Sequence, residues 1–310
     1  MKKNILLTLG LLAVTLTGCG KAADISELTI MSPVGAPALG LYGFASSSKF
    51  ETNNVPKNVK DKMTAGQKDV VVLPTNTGIQ SIVDDHAPYK IAATITFGNF
   101  YIGSLGNDAN GVMEATDTIL LFQQNSVPDK LFHYVYGNDL NDGIHYVGSN
   151  EDVKAAVTNG FFVDTSGSQM VPNYVLIAEP ALSALVSQNK LTKYADIQEL
   201  YRAKSDNMDL FQASVFIKND VEKDKADTFL NKLKKDINAA IKDSNVLLEA
   251  MNKVESANTF FGIQPQAAAN ALANNNSIGL GFKKAKENKA AIDKFLSLFN
   301  IAETNEEIYY

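Results

Sequence analysis

Residues 28–44 constrain the fold of this chain most strongly, because their pattern changes twice within a short stretch. An apolar run over residues 28–31 breaks at residues 32–37 and resumes at helical spacing from Leu39. Pro37 suits the first turn of a helix, where its missing N–H costs nothing. The stretch therefore predicts a strand, a loop of small residues and a helix. Such units bind ligands in open α/β sheets, at the carboxyl ends of the strands.

The N-terminal eighteen residues have the pattern of an export signal, with two lysines before an apolar segment over residues 5–16. They end in Leu-Thr-Gly before Cys19, which resembles the lipobox of bacterial lipoproteins. The resemblance implies cleavage before Cys19 and a thioether-linked diacylglyceryl group on its sulfur, with added acyl chains such as palmitate. We therefore expect a signal peptide at residues 1–18 and a lipidated cysteine with its tether at residues 19–27. An ordinary signal peptide with a chance cysteine is the alternative.

Composition limits the classes of partner. The hydrophobic fraction of 45% and the charged fraction of 20% are typical of a globular protein with a large core. The net charge is −6, and it becomes −8 when Lys2 and Lys3 are lost with the signal. This acidic balance argues against nucleic acid or anionic lipid as the main partner. Cys19 is the only cysteine, so it forms no internal disulfide.

The rest of the chain alternates between strand and helix patterns. Residues 69–73 form a continuous β-branched run that is typical of a buried parallel strand, and helical spacing follows residue 78. Further strands are predicted at residues 90–96, 101–105, 118–122, 144–147, 174–178, 212–217 and 277–282. The predicted helices include residues 127–135, 150–159, 181–187, 226–243, 244–254, 265–273 and 287–299. The alternation predicts an α/β protein with mainly parallel sheets.

Catalytic and metal-binding motifs are absent from the sequence. It contains no G-x-S-x-G, H-E-x-x-H, P-loop or G-x-G-x-x-G pattern. His86, His133 and His145 are far apart, and none has a second ligand at metal spacing. We therefore expect no enzymatic activity, no metal and no cofactor.

Polar loops follow the predicted strands and provide the candidate ligand-binding residues. They place small, amide, hydroxyl and carboxylate groups at the sheet ends where such folds bind ligands. The candidates are Gly35, Ala36, Pro37, Thr75, Asn76, Thr77, Asn99, Phe100, Gln124, Asn125, Ser126 and Glu179.

The order of these motifs along the chain resembles a known family. The lipobox is followed by SPVGAPALGLYGF, VVLPTNTG, GNFYIGS, NSVPDKLFHYV, VLIAEPALSAL, FQASVFIKND and a terminal EEIYY. This order resembles the substrate-binding lipoproteins of bacterial ABC importers, in the nitrate, sulfonate, taurine and thiamine-precursor-like group. The resemblance implies a type II periplasmic-binding-protein-like fold, with two lobes and a ligand cleft between them. It places lobe one at residues 28–106 plus 210–310 and lobe two at residues 107–209.

The resemblance implies a function and a location as well. We expect a monomeric solute-binding protein, lipid-anchored on the extracellular face of a bacterial membrane, that delivers a small molecule to an ABC permease and its ATPase. A non-transport lipoprotein, such as a sensor partner or adhesin, and an enzyme like the thiamine-pyrimidine synthases are the alternatives. An insertion over residues 160–173 departs from the simpler family pattern, so it leaves the local geometry of lobe two open.

The charges predict which ligand the cleft takes. Only one arginine, Arg202, stands among the 28 basic residues, and it lies in a helical stretch away from the candidate loops. Sites for sulfonates, phosphates and amino acids commonly use an arginine, whose planar donors match an oxyanion. With Tyr42, Phe97 and Phe100 near the loops, a neutral ligand is favoured over an anion, such as a planar heterocycle bound by stacking and amide hydrogen bonds. Core packing of these aromatics is the alternative.

Overall fold

The computed structural model describes residues 22–107, 111–164 and 166–310. The predicted signal peptide and Cys19 lie outside the described residues. In the part of the chain that is described, no helix is long and apolar enough to cross a membrane.

Strands are numbered in chain order. They are β1 (Ile30–Pro33), β2 (Phe50–Asn53), β3 (Val70–Pro74), β4 (Tyr89–Thr96), β5 (Phe100–Ser104), β6 (Ile119–Phe122), β7 (Ile144–Val147), β8 (Phe162–Val163), β9 (Gln169–Met170), β10 (Tyr174–Ala178), β11 (Thr192–Asp196), β12 (Ala213–Lys218) and β13 (Leu280–Lys284).

Helices are numbered in the same way. They are α1 (Ala36–Gly40), α2 (Pro56–Thr64), α3 (Thr75–Val83), α4 (Val127–Tyr136), α5 (Asn150–Asn159), α6 (Ala181–Ser187), α7 (Ile197–Lys204), α8 (Lys223–Lys242), α9 (Ser244–Met251), α10 (Ala257–Phe261), α11 (Pro265–Ala273) and α12 (Lys289–Ser297).

Two main sheets form the frame of the molecule. The first has the spatial order β13-β4-β12-β3-β1-β2, and the second has the order β11-β5-β10-β6-β7. The chain passes from the first sheet to the second between β4 and β5, and it returns between α7 and β12. These two crossover segments, residues 97–99 and 205–212, join two α/β lobes, so the two-lobed α/β class is confirmed.

The sheets are mixed, not mainly parallel as the sequence predicted. Strands β1, β2 and β3 are parallel, but β12 is antiparallel to both β3 and β4, and β13 is antiparallel to β4. In the second sheet, β10 is parallel to β6 but antiparallel to β5. Strands β12 and β5 enter their sheets from a crossover and run in the opposite direction to the strands that end there, which accounts for every antiparallel pair of the two main sheets except β13–β4.

One predicted lobe boundary differs from the structure. The sequence assigned residues 101–105 to lobe one, which was predicted to run to residue 106. In the structure, β5 pairs with β10 and β11 in the second sheet. The first crossover therefore lies at residues 97–99, because β4 ends at Thr96 and β5 starts at Phe100. Residues 97–99 therefore carry the chain from the first sheet to the second, whereas the predicted lobe bounds placed them within lobe one.

Local elements agree with the predictions in most places. Strand β10 and helices α6 and α11 have the predicted bounds. Helix α2, which is not among the predicted helices, begins at Pro56 and buries Val59 and Met63 on one face. The insertion at residues 160–173 contains the small β8–β9 hairpin.

The core covers both faces of the first sheet. Along β3, Val71 and Leu73 pack in one apolar cluster while Val70 and Val72 pack in another, and all four are fully buried. Successive side chains of a strand point to opposite faces, so helices must cover both. The prediction of a buried strand at residues 69–73 is therefore confirmed, with bounds one residue later at Val70–Pro74.

Candidate functional site

The crossover places the polar ends of the two sheets opposite each other. Since the chain leaves β4 at its carboxyl end, the parallel strands β1 and β3 end on that same side. In the second sheet, β6, β7 and β10 also end on the side where β5 begins. The loops that follow these strands carry most of the predicted ligand-binding residues, so these residues lie at the crossover ends of the two sheets.

Gly35 forms the turn between β1 and α1. Its φ of 89° lies in the region that favours glycine, and a Cβ atom added there would meet nothing within 4 Å. Its own N–H donates to the carbonyl of Phe261 at 2.7 Å, so this donor is already used. Ala36 is buried and Pro37 is partly buried in the first turn of α1. This turn therefore leaves open space beside small residues. The Gly35 N–H is not free to bind a ligand.

Thr75, Asn76 and Thr77 form the first turn of α3, although the sequence predicted a loop. The Thr75 hydroxyl shares a 2.8 Å hydrogen bond with Ser214, which shares a 2.7 Å hydrogen bond with Thr94. Thr75 is therefore held by the sheet. The amide oxygen of Asn76 is buried without a hydrogen-bond partner among the described residues.

Asn99 connects the two crossover segments. Its amide nitrogen donates to the Glu179 carbonyl at 3.4 Å, and its amide oxygen accepts from Gln212 Nε2 at 3.0 Å. The Gln212 carbonyl in turn accepts from the N–H of Thr75 at 3.0 Å. The Gln212 amide oxygen is buried without a partner among the described residues. Residues of both lobes therefore meet at Asn99, and protein groups already occupy its amide.

Glu179 is a buried carboxylate at the end of β10. One of its oxygens accepts from the Ser183 hydroxyl at 2.6 Å, and the other accepts from the Ser183 N–H at 3.0 Å. The side chain thus begins α6 by satisfying a free N–H of its first turn. Glu179 is positioned at the lobe interface, with its charge already hydrogen-bonded within its own lobe.

Two of the three aromatic residues predicted near the loops, Tyr42 and Phe100, pack in the protein interior. Phe100 is buried, with its ring centroid 6.1 Å from that of Phe122. Tyr42 is buried as well, and its hydroxyl donates to the Asp236 carbonyl at 2.7 Å. Phe97 packs edge-on against Phe211 at 5.5 Å. The contacts of Tyr42 and Phe100 agree with the alternative of core packing. Phe97 is only partly buried and also lines a groove between the lobes, so its ring alone among the three keeps a face near a ligand-sized space.

The loop of residues 123–126 follows β6 in the second lobe. Gln124 and Asn125 are exposed, and Ser126 is partly buried. The Ser126 hydroxyl donates to the Gln123 carbonyl, so it does not cap α4, which begins at the next residue. The Asn125 N–H donates to the Asp129 carboxylate at 2.7 Å. This loop therefore presents two amide side chains to solvent from a fixed backbone.

A charged groove of about 880 Å³ lies between the lobes, beside the first crossover segment, which contributes Phe97 and Gly98 to its lining. Its walls include β11 and β13, which are the edge strands next to β5 and β4. Of the twelve predicted residues, only Glu179 lines it. The sequence analysis missed the remaining charged lining residues, Lys193, Asp196, Glu199, Arg202, Asp209 and Lys283. Five of them lie within residues 193–209, and Lys193, Asp196, Glu199 and Arg202 follow one another at intervals of three residues, a pattern that could have marked them as one cluster. Only Lys283, on β13, joins them from a distant part of the chain.

Arg202 lies in this groove and forms an ion pair with Asp209. Its guanidinium donates to one Asp209 oxygen at 3.1 Å and 2.5 Å, and Lys283 donates to the other oxygen. Arg202 belongs to α7 of the second lobe and Lys283 to β13 of the first. The sequence placed Arg202 away from all the candidate loops, but in the structure it lines the same groove as Glu179 and reaches the lobe interface.

Asp209 is expected to stabilise the fold only when it is charged. Burial opposes its charge, but hydrogen bonds from Lys283 and Arg202 outweigh this and lower its pKa. Because the pKa is lower in the folded state, the stabilisation is present above the unfolded pKa of about 4 and is lost as pH falls through the folded value. Asp209→Asn should therefore lower the free energy of unfolding by about 1–3 kcal/mol at neutral pH.

Urea unfolding at pH 7 and in acid would measure this effect. Asp206→Asn, at an exposed neighbouring position, is the matched control and should change little. A deficit of Asp209→Asn that is as large in acid as at pH 7 would contradict the charged role.

No metal centre is indicated by the described ranges, since they contain no group of three or more His, Cys, Asp or Glu side chains that could hold an ion.

Comparisons with known proteins identify the fold. No family model and no curated protein matches the sequence. A solved ABC transporter protein from Parabacteroides distasonis has a TM-score of 0.67 and 17% identity, covering 88% of this chain and 91% of that chain. The periplasmic aliphatic sulphonate binding protein of Escherichia coli has a TM-score of 0.63 and 11% identity, covering 88% and 86%.

A third structure, from Candida albicans, exhibits the generic periplasmic binding protein fold. It has a TM-score of 0.55 and 10% identity, and it covers 91% of this chain and 92% of that chain. With the two lobes and crossovers described above, these likenesses establish that this chain has the periplasmic binding protein fold.

Proposed function

We propose that this chain is an extracellular solute-binding protein that delivers a small molecule to the permease and ATPase of a bacterial ABC importer. It acts as a monomer, without catalysis or cofactor, and is held on the membrane by lipid at Cys19. The observation that carries the proposal is the pair of lobes, joined by two crossovers, whose polar strand-end loops face each other. The similar structures from Parabacteroides distasonis and Escherichia coli, an ABC transporter protein and a sulphonate binding protein, support it.

The crossover contacts support a hinge mechanism. Residues 97–99 and 205–212 connect the lobes, and the Asn99–Gln212 hydrogen bond ties the two segments to each other. Rotation about these segments would close the lobes over a solute, as in other two-lobed binding proteins, and the permease would recognise the closed form.

The charges favour a neutral ligand over an anion. The cations of the lobe interface already pair with acids, because Arg202 and Lys283 contact Asp209 while Lys193 contacts Asp196. Across the groove, three cationic side chains stand against four acidic ones. An anion would have to displace a carboxylate from each of its cationic partners.

Two buried acceptors indicate what a solute would supply. The amide oxygens of Asn76 and Gln212 lack partners among the described residues, and an unpaired buried acceptor costs about 1–3 kcal/mol. A solute with N–H or O–H donors would satisfy them as the lobes adjust around it. A neutral planar heterocycle with such donors, such as a pyrimidine, fits this requirement through hydrogen bonds.

Alanine substitutions at Asn76 and Asn125 test the site in both lobes. Each should weaken solute binding by about tenfold to a hundredfold, because a hydrogen bond to a buried ligand group contributes about 1–3 kcal/mol. Thermal-shift screening of nucleobases and thiamine precursors against taurine, alkanesulfonates, nitrate and amino acids would first find a solute. Calorimetry would then measure the affinities, since the chain has no tryptophan for fluorescence titration.

Asn138→Ala, at an exposed position beyond α4, is the matched control and should bind like the wild type. If both cleft variants bind within about twofold of the wild type, the solute lies elsewhere. Stabilisation by an anion alone, retained in Arg202→Ala, would overturn the choice of a neutral ligand.

A further inference from the structure

Asp129 is a buried carboxylate just behind the exposed loop of residues 123–126. It lies in the first turn of α4 and its side chain is only 4% exposed. One carboxylate oxygen accepts from the Asn125 N–H at 2.7 Å. The other accepts from the Tyr146 hydroxyl at 2.8 Å and lies 3.3 Å from His133 Nε2. One carboxylate oxygen thus contacts the loop, and the other contacts side chains of β7 and α4.

The loop has a left-handed backbone at two positions, which is unfavourable for Gln123, whereas asparagine adopts it more readily than most residues. Gln123 has a φ of 54° and Asn125 a φ of 64°, both in the left-handed region that few non-glycine residues adopt. A charged acceptor makes a stronger hydrogen bond than a neutral one, and the helix N-terminus favours the negative charge of Asp129. The carboxylate therefore compensates for a loop conformation that would otherwise relax.

We propose that Asp129 is a positioning residue for solute binding, which holds the loop of residues 123–126 so that Asn125 meets the solute. This inference rests on the proposed function, because it assumes that the loop contacts a solute. Asp129 itself is buried beneath the loop and acts through the Asn125 backbone. The loop is therefore pre-ordered before the solute arrives, which lowers the entropy that binding must overcome.

Amide hydrogen exchange tests the anchor without any solute. In the wild type, the Asn125 amide should exchange at least about tenfold more slowly than the neighbouring Gln124 amide, for which the described residues show no hydrogen-bond acceptor. Asp129→Ala should abolish that difference. Tyr146→Phe is the matched control, because it removes a hydrogen bond to the other oxygen and should leave the Asn125 amide protected. Equal exchange of the two amides in the wild type would overturn the proposal even if Asp129→Ala does not fold.

Calorimetric titration with cytosine, thiamine and taurine tests the link to binding. Asp129→Ala should weaken the binding of whichever of these compounds the wild type takes up by about tenfold or more, while Tyr146→Phe stays within about twofold. A positioning role also predicts non-additivity, so that Asp129→Ala adds little in an Asn125→Ala background. A merely structural role would instead lower affinity equally in Tyr146→Phe variants of matched stability.

The two hypotheses fail in different ways. If the wild type binds none of the three probes, the proposed ligand class fails, and the exchange experiment still decides whether Asp129 anchors the loop. If the wild type binds a probe and Asp129→Ala binds it equally well, the positioning role is wrong while the solute-binding function stands.

Discussion

Gly279→Ala is expected to lower the free energy of unfolding by about 2–4 kcal/mol. Gly279 has a φ of +67°, and a Cβ atom added there would lie 2.0 Å from the carbonyl oxygen of Gly98. The Gly279 carbonyl accepts from the Phe97 N–H at 2.8 Å, so the first lobe touches the crossover at this point. An alanine would add left-handed backbone strain and would push the two backbones apart. Urea unfolding followed by circular dichroism would measure the loss.

Gly160→Ala separates these two causes. Gly160 has a φ of +79° at the end of α5, and a Cβ atom added there would meet nothing within 4 Å. Its alanine variant should lose only the backbone contribution, about 1 kcal/mol. If both variants lose the same free energy, the close approach of Gly279 to Gly98 does not contribute to stability.

Cys19→Ser is expected to move the protein almost entirely from the membrane fraction to the soluble or secreted fraction. Cys19 is the only thiol and follows Leu-Thr-Gly, so no other residue offers a sulfur for a thioether-linked lipid. Acyl chains bind bilayers at about 0.8 kcal/mol for each buried CH₂, and two or more chains give a stable anchor. Labelling of cells with radioactive palmitate, followed by fractionation, would measure both the modification and the location.

Lys21→Ser is the control for Cys19→Ser, because it changes the adjacent tether and keeps the thiol. It should retain both the label and the membrane location. Absence of label from the wild-type protein would contradict the lipid anchor, and the solute-binding proposal would then apply to a protein that is not lipidated.

Local pattern was sufficient for many of the elements. Strand β10 and helices α6 and α11 match their predicted bounds, since continuous apolar runs, Pro at a helix start and helical spacing act over a few residues. Helix α2 was not predicted because it is mostly polar. Only two of its residues, Val59 and Met63, are buried. Pro56 at the first helical position, followed by Val59 and Met63 four residues apart, is the pattern that indicates this helix.

The candidate site was predictable only as a set of loops. The sequence placed Asn76, Asn99, Asn125 and Glu179 at strand ends, and the structure confirms that they follow or adjoin strands. It could not predict which of their polar groups the protein itself would use. Asn99 is bonded to Gln212, Glu179 to Ser183, and the backbone of Asn125 to Asp129. Which partner each polar group finds depends on tertiary packing, because a hydrogen bond forms only between groups that the fold brings within about 3 Å of each other.

The sequence by itself determined the α/β class and the alternation of buried strands with amphipathic helices, and it predicts export and lipidation at Cys19. These follow from residue types and short spacings that act through local geometry and burial. Only the tertiary structure decided that β5 belongs to the second sheet, that the sheets are mixed, and that Arg202, Asp209 and Lys283 meet between the lobes. The reason is that strand pairing and charge pairing join residues far apart in the chain, and the energy of each pair depends on where the whole fold places them.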